Sequence, residues 1–325
     1  MMLFLARAAV VATVCCLGMA APAAAAPISS VVVFGDSNVD NGNLRARGLQ
    51  FGLDINPPPN FEGRNGNGPV VVEYLADRIH RPLLNFAFSG AATGTGLNFG
   101  IATNALTQIQ GYLAGRGGAA DPAAIYVYWA GSNDLIGVGA DATLLEQRVT
   151  TARSNIEAGL TALSDAGASR IIVANRTPRP DLASQDNLNG LALNAEIAEL
   201  LADLDPLLAA DLLPFDNYSL IAAMVTNGAA FGFTRTAASD LCIAVPACSG
   251  DLSEAARWTN WDAAHKTTRV HALLAREMVA QFGLPVPSPS ALALLLPGLG
   301  LLLAVRRRGN RARAGYAAAR CADTP

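Results

Sequence analysis

The sequence predicts a three-layer α/β/α sandwich built around a mostly parallel sheet, and three observations carry that prediction. Short apolar runs rich in β-branched residues recur at 31–34, 83–88, 125–129 and 171–174. Each reads as an interior strand, because a strand covered on one face only would alternate apolar with polar residues. Helix-length segments separate the runs, and the right-handed crossovers this implies leave the strands parallel with helices on both faces. Small and polar residues follow the runs ending at Phe34, Phe88 and Trp129, which marks the carboxyl-end loops where sites gather in such folds.

Taken in order, Val31, Val32, Val33 and Phe34 form the first strand, stopped by Gly35. Val71, Leu75 and Ile79 recur at helical spacing, as do Leu145, Val149, Ala152, Ile156 and Leu163. A helical stretch around 193–204 leads to Phe215 and Asp216, and a Gly-rich segment covers 227–234. Val270, Leu274, Met278 and Phe282 share one face of a last helix. Neither an internal repeat nor a second domain is visible.

The chain has 325 residues, 51% of them hydrophobic, and a formal charge of −3. Two terminal apolar runs raise the hydrophobic fraction; the middle has ordinary globular composition. The charge speaks against a nucleic-acid partner, whose binders carry a strongly basic face. Residues 1–26 have the layout of a secretory signal peptide, with Arg7, an apolar stretch and a small-residue run. A transmembrane anchor is the other reading, although the apolar core is short for a span.

The chemistry-bearing residues fall in four segments. Ser37 sits in Gly35-Asp36-Ser37-Asn38-Val39-Asp40-Asn41-Gly42-Asn43, on a turn at a strand end, where a hydroxyl faces the cleft and becomes a nucleophile if a base reaches it. These residue types also make ordinary turns. Gly90, in Ser89-Gly90-Ala91, lets a backbone N–H approach a ligand. Asn133, in Gly131-Ser132-Asn133-Asp134, offers a side-chain amide to a developing oxyanion. In Trp261-Asp262-Ala263-Ala264-His265, Asp262 can hold the imidazole tautomer of His265 and support its charged form. His80 and His271 lie within helical patterns and read as partly exposed residues without a role. Cys242 and Cys248 flank a short Pro-containing loop, which in an oxidising compartment could close as a small disulfide; two free thiols are the alternative. No spacing of metal ligands is present, so no metal and no cofactor is expected.

These four segments, in this order, resemble the sequence blocks of the SGNH or GDSL esterases and lipases over roughly 31–282. The resemblance implies the flavodoxin-like form of the sandwich and a domain at 27–284. It implies Ser37 as nucleophile, Asp262 and His265 as the rest of the triad, and Ser37, Gly90 and Asn133 as the oxyanion hole. Ala230-Phe231-Gly232-Phe233-Thr234 resembles the approach to the last block in secreted members. Asn38 stands where the family usually has Leu, and Lys266 where Pro commonly follows the His.

From Val286 the chain reads Val-Pro-Ser-Pro-Ser, an apolar run to Val305 and then Arg306, Arg307 and Arg308. This tail, 285–325, resembles the PEP-CTERM sorting signal of exosortase-processed bacterial proteins, with Ser288 in place of the usual Glu. A simple membrane anchor is the alternative. The resulting expectation is an exported serine hydrolase acting on carboxylic esters, whether acyl lipids, short-chain esters or acetylated glycans. It would work in the periplasm, at the cell surface or outside the cell, after at least transient anchoring in the inner membrane and with an exosortase-like processing enzyme as partner. A catalytically silent surface or matrix-associated binding protein on the same fold is the competing expectation.

Overall fold

The computed structural model describes residues 27–287. The expected signal peptide, 1–26, and the expected tail from 288 onward lie outside the described residues. Within them the first strand, β1 (Val31–Gly35), is followed by helices α1 (Asn43–Leu49) and α2 (Val71–Ile79) and by strand β2 (Leu83–Asn85). A small hairpin of β3 (Leu97–Asn98) and β4 (Ala102–Thr103) precedes α3 (Ala105–Gly115). Then come β5 (Ile125–Trp129), α4 (Ala142–Asp165), β6 (Arg170–Ala174), α5 (Gln185–Leu204), β7 (Asp211–Phe215) and α6 (Asn217–Thr226). Three one-turn helices follow, α7 (Gly228–Phe231), α8 (Pro246–Ser249) and α9 (Leu252–Ala255), before the closing α10 (Thr268–Gln281).

The main sheet has the order β2-β1-β5-β6-β7 and every pairing in it is parallel. Counted among its own five strands, that is second, first, third, fourth, fifth, the flavodoxin-like order. The apolar runs explain the layers. Along β1, Val32 and Phe34 enter one core with α3, α4 and α5, while Val31 and Val33 enter the other with α2, α6 and α10. β5 divides the same way, Tyr126 and Tyr128 against Ile125, Val127 and Trp129. Both faces are therefore dry, and full burial of each Val, Ile or Phe contributes about 1.5–3 kcal/mol. Side-chain caps start α4, α5 and α6: Asp141 accepts from Leu144 N–H, Ser184 from Asn187 N–H and Asp216 from Ser219 N–H.

One strand expectation is corrected and one strand is added. The run at 83–88 yields a three-residue edge strand of half-buried residues, not an interior one, because among the described residues nothing pairs with its outer side. The chain around Phe215 is itself a strand: β7 contains Pro214, whose missing N–H is tolerated at a sheet edge.

After β1 the chain crosses to β2 on one side and returns to β5 on the other, so the loops after β1 and β5 diverge at a topological switch point. A crevice opens there at the carboxyl ends of the strands.

Candidate active site

Ser37 lies two residues beyond β1, on a turn whose flanks are pinned. Gln108 of α3 takes Gly35 N–H on its Oε1 at 2.8 Å and returns Nε2–H to Gly35 O at 2.9 Å. Gly35 is required by proximity, since a Cβ there would stand 2.3 Å from Trp129 O on the neighbouring strand. Asp36 N–H then donates to Trp129 O, and Asp36 Oδ1 accepts from Asn38 N–H at 2.9 Å and from Asn38 Nδ2 at 2.8 Å. The hydroxyl of Ser37 is left to face the crevice.

His265 Nε2 is 2.8 Å from Ser37 Oγ, across 228 positions of sequence. On the other side of the ring, Nδ1 lies 3.0 and 2.9 Å from the two carboxylate oxygens of Asp262. Backbone N–H groups of Ala264 and His265 both donate to Asp262 Oδ1 at 2.7 Å. Burial alone would raise the pKa of Asp262, but the hydrogen bond and charge of His265, helped by those two N–H groups, hold it down at about 2. An ionised carboxylate can only accept, so Nδ1 carries the ring proton and Nε2 is left as the acceptor for Ser37 O–H.

Gly90 has φ +84°, a conformation that strains any residue with a side chain, and an added Cβ would meet the Phe99 ring at 3.2 Å. Its carbonyl is held by Asn98 Nδ2 at 2.8 Å. Asn133 sits in a single 3-10 turn (Ser132–Leu135) after β5, and its Nδ2 donates to Ala91 O at 2.8 Å, which fixes the amide and leaves a second N–H. Among the described residues the N–H groups of Ser37 and Gly90 have no acceptor. Ser37, Gly90, Asn133 and His265 all line one cavity of about 450 Å³. The expected site residues are thus brought together in one place. Among the described residues no cluster of three His, Cys, Asp or Glu side chains stands ready for a metal ion.

A family model described as GDSL-like Lipase/Acylhydrolase matches residues 31–278. The chain belongs to that family. It is also 27% identical over 281 residues to the thermolabile hemolysin of Vibrio parahaemolyticus, a match covering 78% of this chain and 63% of that protein. The chain thus spans less than two thirds of that relative's length. Solved structures similar to it include a lipolytic G-D-S-L family protein from Veillonella parvula, at 14% identity with a TM-score of 0.46, covering 78% of this chain and 98% of that one. A carbohydrate acetylesterase from Sinorhizobium meliloti, at 13% identity with a TM-score of 0.43, covers the same shares.

Within the family's blocks, the two departures are both buried. Asn38 is 5% exposed and spends its amide on Asp36 Oδ1, so a polar side chain packs where Leu is usual. Lys266 is 1% exposed, and its Nζ donates to Asn260 Oδ1 at 2.8 Å. Burial, with the nearby charge of Arg179, pushes its pKa down to about 7. His271 departs from the expected partial exposure: it is 4% exposed, in the face of α10 that enters the core. Burial and the charges of His265 and Lys266 lower its pKa to about 3, so it stays neutral. Cys242 and Cys248 are joined in a disulfide with a Cα–Cα distance of 5.2 Å.

Asp40 and Asp134, which carry no role in the sequence motifs, hold the site loops together. Asp40, fully buried, accepts from Gly42 N–H at 2.8 Å and Asn43 N–H at 2.6 Å, and its other oxygen accepts from Ser89 N–H at 2.7 Å. It ties the Ser37 turn to the Gly90 loop. Asn43 and Asn85 add to the same clamp by donating to Asn85 O, Ala87 O and Val39 O. Asp134 accepts from Thr93 N–H and Thr93 O–H, joining the Asn133 turn to the loop after Gly90. Burial raises its pKa to about 6 against those hydrogen bonds. The signal that could have found Asp40 is local: an Asp two and three residues ahead of backbone N–H groups at a helix start is a capping pattern.

Proposed function

We propose that this acylhydrolase cleaves carboxylic esters by acyl transfer through Ser37, with His265 as general base and acid and Asp262 holding the imidazole. The observation that carries the reading is the unbroken line from Asp262 through both ring nitrogens of His265 to Ser37 Oγ, with hydrogen-bonding distances throughout. Ser37 Oγ attacks the ester carbonyl while His265 Nε2 takes its proton. The oxyanion that forms is received by the N–H groups of Ser37 and Gly90 and by Asn133 Nδ2, donors already oriented before substrate arrives. His265 then gives its proton to the departing alkoxide. Water, deprotonated by His265, resolves the acyl-enzyme and returns Ser37. Membership of the GDSL-like lipases and acylhydrolases agrees with an ester substrate.

Ser37→Ala tests this. Hydrolysis of short p-nitrophenyl esters should fall by about 10⁴-fold or more, since such triads act as a unit. Wild-type protein no faster than Ser37→Ala would leave only the silent binding protein.

The layout of 1–26, the disulfide between Cys242 and Cys248 and the Arg-flanked apolar tail support an exported protein with its hydrolase domain at 27–284. Among the described residues no helix is long and apolar enough to cross a membrane. N-terminal sequencing of protein recovered from outside the inner membrane would check export; an intact Met1 on that protein would sink the cleaved signal.

A further inference from the structure

Arg179 is the one permanently charged side chain among the residues lining the Ser37 cavity. The loop after β6 that carries it is built rather than loose. Asn187, fully buried, accepts from Arg179 N–H at 2.8 Å and donates to Arg179 O at 3.2 Å. Arg179 Nε donates to Asp186 at 2.8 Å, which sets the plane of the guanidinium. Its two Nη groups have no partner among the described residues, and its side chain keeps 25% exposure.

The charge is not cancelled locally. Asp186 is shared with Arg176, whose side chain is fully buried against it, so two guanidinium groups meet one carboxylate. The neighbouring exposed Asp181 makes no ion pair with Arg179. Asp36, the other carboxyl that Arg179 acts on, is fully buried with an unpartnered Oδ2, and burial raises its pKa towards the neutral form. A positive surplus therefore faces the cavity. Its effect on nearby groups is visible at Lys266, whose ammonium form Arg179 disfavours.

Position gives the surplus a direction. Arg179 also borders a shallow groove with Ala263, on the loop that carries His265, while Ala264 borders the Ser37 cavity. Leu44, Ile55, Phe99, Ile101 and Ile136 form an apolar part of the same cavity. The group that His265 protonates on departure is the alcohol, so the His265 side of the cleft is the alcohol side. We infer that Arg179 is a specificity-determining residue that receives an anionic group, carboxylate or phosphate, on the alcohol portion of the ester, with the acyl portion against the apolar wall.

This inference rests on the proposed esterase reading, and the experiment separates the two. Three acetyl esters are compared: methyl 4-acetoxybenzoate, which is neutral, 4-acetoxybenzoate and 4-acetoxyphenyl phosphate. In Arg179→Gln the ratio of kcat/KM for either anionic ester over the neutral one should fall by about tenfold to a hundredfold, the range of a charge-assisted hydrogen bond lost. Most of the loss should appear in KM. Arg179→Lys, which keeps the charge but not the fork, should recover part of the ratio. A larger loss for the phosphate than for the carboxylate would assign the group as phosphate, and the reverse as carboxylate. Mere structural damage would lower all three esters alike, and an unchanged ratio overturns the inference while leaving the esterase reading intact. Wild type hydrolysing the neutral ester no faster than Ser37→Ala overturns both.

Discussion

Ser37, Gly90 and Asn133 stand in the loops after strands β1, β2 and β5 of the parallel sheet, whereas Asp262 and His265 ride on a segment, 232–267, that adds no strand to it. That segment is held by isolated bridges, Arg235 to Trp258, Leu241 to Asn260 and Asn260 to Lys266. It has a core of its own, in which the Cys242–Cys248 disulfide packs with Ala255, Trp258 and Trp261. Trp261 is anchored outward by donating from Nε1 to Asn60 Oδ1 at 2.9 Å, and Thr268 N–H donates to Asn67 Oδ1 at 2.8 Å. One half of the site is thus a by-product of the sheet, so that altering it disturbs the fold. The other is a locally braced attachment, where catalysis and stability can be separated.

The largest expected effect breaks function in the attached half alone. Asp262→Ala should lower kcat on a short ester by about 10³- to 10⁴-fold, through loss of the imidazole tautomer and its supporting charge. The cost in unfolding free energy should stay at or below about 2.5 kcal/mol, the worth of the carboxylate's depressed pKa at a partly exposed position. A larger loss, read from the denaturant midpoint, would mean that the two halves are not separable.

In the sheet-borne half the expectation reverses. Asp40→Ala removes the acceptor of Gly42, Asn43 and Ser89 N–H groups at a buried position, which should cost about 3 kcal/mol or more in unfolding free energy. Activity should fall with it, since the Gly90 loop loses its tie to the Ser37 turn. Equilibrium unfolding in urea measures the first; a stability change below about 1 kcal/mol would contradict so strong a clamp.

The smallest effect concerns pH and the attached half. Lys266 has its folded-state pKa depressed to about 7, below the ordinary value of 10.5. Between those values the unfolded chain binds more protons than the folded one, so this residue makes stability rise as pH rises from 7 towards 10. Lys266→Met should flatten that rise in a series of urea midpoints. Parallel curves for variant and wild type would show that the ammonium finds a solvated state.

Much of the fold was legible in the sequence. Buried parallel strands write themselves as continuous apolar runs, and β1, β5 and β6 were found that way. The weakness lies at the edges: the β2 run reads as interior and β7 carries no clear strand signal, because edge strands are short and tolerate Asn85, Asp211 and Pro214. In the site, residues with a local signature were visible, Ser37 on its strand-end turn and Asp262 three before His265. Residues acting across the fold were not. Nothing near Asp40 points to Ser89, 49 positions away, and nothing near Arg179 points to the cavity.

By itself, then, the sequence determined the alternation of strand and helix and the class of sandwich, since these depend on periodicity, and its resemblance to a family singled out Ser37, Asp262 and His265 as candidates. Only the tertiary structure decided that Ser37 and His265 meet, that Lys266 and His271 are buried, and that Arg179 lines the same cavity as Ser37. Such facts depend on which distant segments pack together, and a residue's burial, charge balance and reach are set by those partners and not by its own stretch of chain.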